Sequence, residues 1–251
     1  DNESFIQQLK AIISKDWFMN KNLVFTATYN EIDNISVFLD LVLKISNIDI
    51  LIVDDNSPDK TSEIIRRYQK NNKNLFLVNR KGKEGLDSAH KIGFNFAKEK
   101  NYENLITLDA DLSHDPNMIP KFIEMLKEKP FVIGSRYMTG ASNDMKFSRY
   151  VLSYVGNKVI KFILNINSDE FTSSFRGFAL SKLKNFDIND VKTKGYSFFM
   201  ATVYLISKLG YNINQIPLQF KDRKEGVSKI PKIEIFRTLK NLFLIKINKL
   251  W

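Results

Sequence analysis

Apolar residues along this chain follow two alternating rhythms. Leu23 to Thr26, Ile48 to Val53, Leu75 to Val78, Leu105 to Leu108 and Phe131 to Gly134 are short, nearly continuous apolar runs, as strands covered on both faces of a parallel sheet require. Between them the apolar positions take helical spacing: Ile35, Phe38, Leu39, Val42 and Leu43 form one buried stripe, and Thr61 to Gln69, Gly85 to Ala97 and Pro116 to Lys127 continue the series. Strands alternating with helices of about 10 to 15 residues predict right-handed crossovers and an α/β fold with a largely parallel central sheet flanked by helices. Sheets of this kind bind ligands beyond the carboxyl ends of their strands.

Past Gly140 the rhythm changes. Val151, Leu152, Val155, Val159, Phe162 and Ile163 predict an amphipathic helix that also carries Arg149, Lys158 and Lys161. Phe171 to Leu180 contains a Thr-Ser-Ser-Phe-Arg turn, Tyr196 to Leu209 reads as a helix and Ile213 to Phe220 as a strand. Ile233 to Ile247 is apolar on one side and punctuated by Arg237, Lys240 and Lys246, while Phe5, Ile6, Leu9, Ile12 and Ile13 predict a short amphipathic helix at the start. The expected organisation is a helical extension over residues 1–21, an α/β domain over 22–230 and a C-terminal basic amphipathic helix over 231–251.

Composition narrows the possibilities. A chain of 251 residues with 43% hydrophobic content can build a substantial core. Its net charge of +10 favours an anionic partner: nucleic acid, a phosphorylated substrate or an acidic membrane surface. The lysines are scattered rather than gathered with aromatics in a stripe, which argues against nucleic acid. Cysteine is absent, so disulfides and thiolate metal sites are excluded and a cytoplasmic, reducing setting fits. Neither an export signal nor an 18-residue apolar run is visible.

The candidate chemistry lies at the strand ends. Asp109 and Asp111 follow the Leu105 to Leu108 run two residues apart, which on an extended chain puts both carboxylates on one face. A hard divalent cation, Mg²⁺ or Mn²⁺, offsets their repulsion, with substrate phosphates supplying further ligands. Asp115-Pro116 then starts a helix. Tyr29, Asp55 and Arg136 fall at the ends of other predicted strands, on the same side of the sheet. The first strand-to-helix turn, Ala27-Thr28-Tyr29-Asn30-Glu31, lacks the glycines of a dinucleotide site, and no P-loop occurs. What remains is an acidic metal site followed by cations suited to phosphate oxygens.

Together these residues resemble the family-2 glycosyltransferases of the GT-A fold, and within them the dolichol-phosphate mannose synthase group. The matching pieces are Thr28-Tyr29-Asn30-Glu31, Val53-Asp54-Asp55-Asn56-Ser57-Pro58-Asp59, Gly85-Leu86, Asp109 through Pro116, Gly134-Ser135-Arg136-Tyr137, Ser174-Phe175-Arg176, and Asp222-Arg223 with Gly226, Ser228 and Lys229. The resemblance implies inverting transfer of a sugar, mannose from GDP-mannose by preference, to a polyprenyl (dolichyl or undecaprenyl) phosphate. It implies that Ala27, Tyr29, Glu31, Val53 and Asp55 hold the nucleoside, with Ala27 standing where the family usually has proline. Asp109 and Asp111 would hold the metal, with Ala110 along the nucleotide and Ser113 as a further ligand. Arg136, Arg223 and Lys229 would hold phosphates, and Arg149 and Ser153 the acceptor phosphate. Asp111, Arg136 and Arg149 are thus the expected catalytic set.

A monoester phosphate already carries about −1.5 to −2 charge at pH 7, so it can attack without a general base. Glu170 stands where the family commonly has aspartate, beside Asp169, and neither is assigned as a base; both also read as acids ordering a loop. Asp87 replaces the second glycine of the family's Gly-Leu-Gly. His114 reads equally as a phosphate contact and as a structural loop histidine, and His90 as an ordinary helix residue. A lipid acceptor implies peripheral attachment on the cytosolic face of a membrane through the helix near Phe147 to Leu164 and through Ile233 to Trp251. Many members of the family carry membrane helices after the catalytic domain, so a membrane-embedded partner subunit is also an expectation. The alternatives are a UDP-sugar transferase (glucose or N-acetylhexosamine) acting on a lipid phosphate or a glycan, and a non-catalytic nucleotide-sugar-binding subunit.

Overall fold

Seven of the strands form one sheet in the order β3-β2-β1-β4-β7-β5-β8. The computed structural model describes residues 7–8, 20–221 and 233–247. The N-terminal helix expected from Phe5 to Ile13 therefore lies almost wholly outside the described residues, as does the loop with Asp222, Arg223, Gly226, Ser228 and Lys229. Strands β1 (Asn22–Thr28), β2 (Ile48–Asp54), β3 (Leu75–Asn79) and β4 (Asn104–Thr107) run parallel. β5 (Phe131–Ser135) and β8 (Asn214–Pro217) are also parallel to each other. Between β4 and β5 sits β7 (Arg176–Ala179), antiparallel to both. The expected strand at Ile213 to Phe220 divides: β6 (Ser142–Asn143) and β9 (Gln219–Phe220) pair as a separate two-stranded ribbon.

The period of two in the strands sends alternate side chains to two cores. Leu23, Phe25, Leu51 and Val53 face one layer, while Val24, Ile50 and Ile52 face the other. Helices α1 (Ile32–Val42), α2 (Thr61–Gln69) and α4 (Ile119–Leu126) cover the second layer with Ile35, Phe38, Leu39, Ile65 and Phe122. Helices α3 (Leu86–Glu99) and α6 (Ser197–Lys208) cover the first with Phe94, Phe198, Phe199 and Val203. α5 (Phe147–Leu164) adds Ile160 and Leu164 to that layer, and α7 (Ile233–Lys246) adds Leu242 and Ile245. Among the described residues, no helix is long and apolar enough to cross a membrane.

α3 approaches β1 closely through Gly93, where a Cβ would lie 2.4 Å from the fully buried ring of Phe25. Gly93→Ala is expected to destabilise the fold by about 1–3 kcal/mol through overpacking. Urea unfolding checks this, with the midpoint falling at unchanged slope.

Candidate active site

The carboxyl ends of β1, β2 and β4 lie side by side, and each is followed by a sharply turned residue. Asn30 (φ 58°), Asn56 (φ 57°) and Leu112 (φ 60°) adopt the left-handed conformation directly after Tyr29, Asp55 and Asp111. Leucine enters that region at a cost of about 1–2 kcal/mol, so the turn after Asp111 is maintained by its surroundings. Ser113 supplies part of that support: its N–H (3.0 Å) and Oγ (2.7 Å) both donate to Asp111 Oδ1. Asp111 is 5% exposed, whereas the side chain of Asp109 is 38% exposed at the mouth of the site. Asp115 accepts from Asn117 N at 3.0 Å and caps the short helical turn Pro116–Met118 that leads into α4, as its Asp-Pro pair predicts.

His114 is buried beside these acids. Burial pushes its imidazole below the usual histidine range, against the opposing pull of Asp109 and Asp111. Its Nδ1 accepts from the Asp109 backbone N–H at 3.5 Å and lies 3.9 Å from Asp109 Oδ2. With rings Phe175 and Phe220 packed around it, His114 is a structural loop histidine.

The two adjacent acids after β2 divide their work. Asp54, fully buried, accepts from Thr28 Oγ1 (2.7 Å), Ser57 N (2.9 Å), Ser57 Oγ (2.6 Å) and Ser62 Oγ (2.7 Å). The Asn-Ser-Pro-Asp turn so held fastens the start of α1 from the neighbouring strand: Ser57 Oγ accepts from Asn30 N and Asp59 Oδ2 from Ile32 N, both at 3.0 Å. Asp55 instead meets Arg80, whose Nε and Nη2 donate to its Oδ1. Arg80 Nη1 donates to Ser88 Oγ and Nη2 also to Gly85 O at 3.1 Å. Burial raises the Asp55 carboxyl, and the guanidinium beside it works in the opposite direction. Ala27 and Val53 are paired in register on β1 and β2. Val53 is sealed in the core at 0% exposure and Ala110 at 2%, so in this structure neither presents a side chain to a ligand. Tyr29 is half-buried with Lys83 Nζ 4.7 Å from its ring centre.

Asp87 does not enter the site. Its Oδ1 accepts from Gly195 N at 3.0 Å, so the residue that replaces glycine fastens the segment before α6 to the start of α3.

On the other flank Arg136, just after β5, forms a fork with Glu170: Nε to Oε2 and Nη2 to Oε1, both 2.8 Å. Its guanidinium lies 5.2 Å from the Tyr137 ring centre and 5.4 Å from that of Phe220; burial disfavours its charge, but the Glu170 carboxylate, with Asp109 adding a smaller share, outweighs this and raises it above the usual guanidinium range. Asp169 points to the surface, to Lys158 (3.1 Å) and Lys161 (3.0 Å). Tyr137 OH donates to Ser153 Oγ at 2.6 Å, which ties α5 to this flank. Arg149 and Ser153 are one turn apart on α5, on the face that also carries buried Asn157, Ile160 and Leu164. The opposite face is apolar and exposed: Phe147, Val151, Leu152, Val155, Val159 and Phe162. Leu239 and Phe243 of α7, and Ile247 just beyond it, are further exposed apolar residues.

The structure thus gathers Asp109, Asp111, Ser113 and Arg136, places Tyr29 and Asp55 on one flank and Arg149 and Ser153 on the other. Arg80 and Thr172 complete the geometry and were not singled out from the sequence, while Tyr137 entered there only as the last residue of the Gly-Ser-Arg-Tyr motif. An arginine directly after a strand, as Arg80 is after β3, was the available signal. The donors at the centre are carboxylate and hydroxyl oxygens, the chemistry that Mg²⁺ and Mn²⁺ select. Among the described residues no group of three His, Cys, Asp or Glu side chains is placed to hold a metal ion.

A mixed sheet with β3-β2-β1-β4 parallel, β7 inserted antiparallel and an Asp-x-Asp just after β4 has the architecture of the GT-A fold. The chain belongs to glycosyl transferase family 2, whose model matches residues 23–186, and it is a glycosyltransferase. It is 30% identical to an undecaprenyl-phosphate mannosyltransferase of Micrococcus luteus over 210 residues, 83% of this chain and 86% of that one. It is 29% identical to a polyprenol monophosphomannose synthase of Mycolicibacterium smegmatis, over 84% of this chain and 81% of the relative. Among solved structures, a mannosyltransferase of Pyrobaculum calidifontis in complex with GDP-mannose and Mn²⁺ superposes with a TM-score of 0.58 at 18% identity, covering 98% of this chain and 70% of that chain.

Proposed function

We propose that this enzyme transfers mannose from GDP-mannose to a polyprenyl phosphate with inversion at the anomeric carbon, using Mg²⁺ or Mn²⁺. The observation that carries this reading is α5. Arg149 and Ser153 share the face that carries its buried residues, with Ser153 bonded to Tyr137, while its outer face is an exposed apolar stripe. A phosphate joined to a hydrocarbon chain needs both. The two relatives at about 30% identity, named for mannose transfer to lipid phosphates, support the same choice.

In this reading Asp109 and Asp111 hold the metal, with Ser113 orienting Asp111 and available through its remaining lone pairs. When bound, the ion supplies Lewis-acid stabilisation to the departing diphosphate. Tyr29 and Asp55 hold the nucleoside, and Arg80 keeps Asp55 in place. Arg136 sets a fixed positive charge at the side of Asp109, where negative charge grows as the glycosidic bond breaks. Arg149 and Ser153 bring the acceptor phosphate to the sugar, and that phosphate attacks as the anion it already is.

The reading is tested by assaying GDP-mannose, UDP-glucose and UDP-N-acetylglucosamine with Mg²⁺ or Mn²⁺, with and without polyprenyl phosphate. Lipid-dependent release of GDP from GDP-mannose is expected; turnover of a UDP-sugar alone overturns the donor, and absence of turnover supports a non-catalytic subunit.

The apolar faces of α5 and α7 dock on the cytosolic leaflet, whose anionic lipids suit Lys158, Lys161, Lys240 and Lys246. Burying one phenylalanine is worth about 1.5–3 kcal/mol. The double variant Phe147→Asp, Phe162→Asp is therefore expected to lower binding to anionic vesicles at least about tenfold in flotation. Unchanged flotation contradicts this docking surface.

A further inference from the structure

We propose that Glu170 is a positioning residue that holds Arg136 rigid at the metal-diphosphate site and takes no proton from the acceptor. The proposal rests on the functional reading above and specifies how one part of that site works.

The carboxylate of Glu170 has no open side. Oε1 accepts from Thr172 N (2.9 Å), Thr172 Oγ1 (2.9 Å), Ser173 N (3.1 Å) and Arg136 Nη2 (2.8 Å), and Oε2 accepts from Arg136 Nε (2.8 Å). The residue is 0% exposed, so no substrate hydroxyl or phosphate reaches it without dismantling this set. A general base must come within hydrogen-bond reach of the proton it removes. Burial pushes this carboxyl up, but Arg136 and the Thr172 donors outweigh it and hold it below the usual carboxylate range, which makes it a weak base.

The turn that carries Glu170 is itself fixed from the core. Arg176, 1% exposed, donates from Nε to Ser173 O (2.7 Å) and from Nη2 to Phe171 O (2.8 Å). Phe171 N donates to Asn157 Oδ1 of α5 at 2.8 Å, and Phe175 stacks on Phe122 at 4.2 Å between ring centres. Arg136 is the end of this chain of contacts that faces the site. Its fork on Glu170, a bond to Thr172 Oγ1 (2.8 Å) and the rings of Tyr137 and Phe220 leave the guanidinium one orientation. A long cation pre-set in this way loses little side-chain freedom when a phosphate arrives.

The test is a double-mutant cycle on the full chain with GDP-mannose, Mn²⁺ and polyprenyl phosphate, using Glu170→Gln, Arg136→Gln, both together, and Arg136→Lys. Displacing a positioned group by about 1 Å costs on the order of 10²-fold in rate. Glu170→Gln and Arg136→Gln are each expected to lose about that much in kcat/KM, with the double variant no worse than the weaker single. Arg136→Lys, which keeps the charge but not the fork, is expected to be nearly as impaired as Arg136→Gln, and the pH profile of kcat to keep its shape in Glu170→Gln. Additive losses, or a kcat in Glu170→Gln that no longer falls at acid pH as the wild type does, overturn the proposal. Melting temperatures of the same proteins form a second cycle that needs no turnover. Glu170→Gln leaves Arg136, whose side chain is only 11% exposed, without its counter-charge and is expected to melt at least about 5 °C lower, with part of the loss recovered in the double variant. An inactive wild type removes the functional reading and not the pairing, whereas additive melting shifts remove the pairing.

Discussion

Asp111→Ala is expected to lower the rate of mannose transfer by at least about a thousandfold while the fold persists. Asp111 is the buried member of the acidic pair, and Ser113 holds one of its oxygens at 2.7 and 3.0 Å. Alanine removes both carboxylate oxygens from a site whose remaining acid, Asp109, is partly solvated. Losing a single donor that stabilises developing charge typically costs 10²–10³-fold, and losing the ion it anchors costs more. Calorimetry with GDP and Mn²⁺ should show binding reduced alongside turnover, because the diphosphate depends on the same ion. A variant that turns over within tenfold of wild type would contradict the metal-site assignment.

Asp54→Ala is expected to cost about 3–5 kcal/mol of stability and to weaken donor binding as a consequence. Its carboxylate accepts four hydrogen bonds from Thr28, Ser57 and Ser62 while fully buried. Alanine leaves three hydroxyls and an N–H in the interior with their acceptor gone, the costly way to break a buried polar network. The turn it holds carries Ser57 and Asp59, which fasten the segment that starts α1, and adjoins Asp55. Urea unfolding measures the first effect and the KM for GDP-mannose the second. A loss under 1 kcal/mol would mean that the turn stands without Asp54.

The parallel part of the sheet was legible because its strands are apolar on both faces and its helices carry periodic stripes. The position of Asp109 and Asp111 at the end of one such strand, more than the Asp-x-Asp itself, pointed to the site. β7 was not legible. Its four residues, Arg-Gly-Phe-Ala, have poor strand character, and they become a central strand because β4 and β5 flank them and Arg176 finds carbonyl partners in its own turn. Arginines were the second difficulty. Charge alone assigns them to solvent or to anionic ligands, whereas Arg80 and Arg176 are 3% and 1% exposed and serve to hold backbone and carboxylates. The partner of Arg80, Asp55, lies 25 residues earlier, a pairing that only the adjacency of β2 and β3 creates. Asp87 and Glu170, two of the three departures from the family pattern, each prove to fasten a loop: Asp87 through Gly195 and Glu170 through Thr172 and Ser173.

The central claim is a single displacement in which a lipid phosphate replaces GDP on mannose. It is tested most directly by incubating the enzyme with GDP-mannose, Mn²⁺ and undecaprenyl phosphate, isolating the lipid product and measuring its C1–H1 coupling by NMR. The account predicts a β-linked mannosyl phosphate, formed one for one with GDP. An α-linked product, or GDP release without mannose on the lipid, would contradict it.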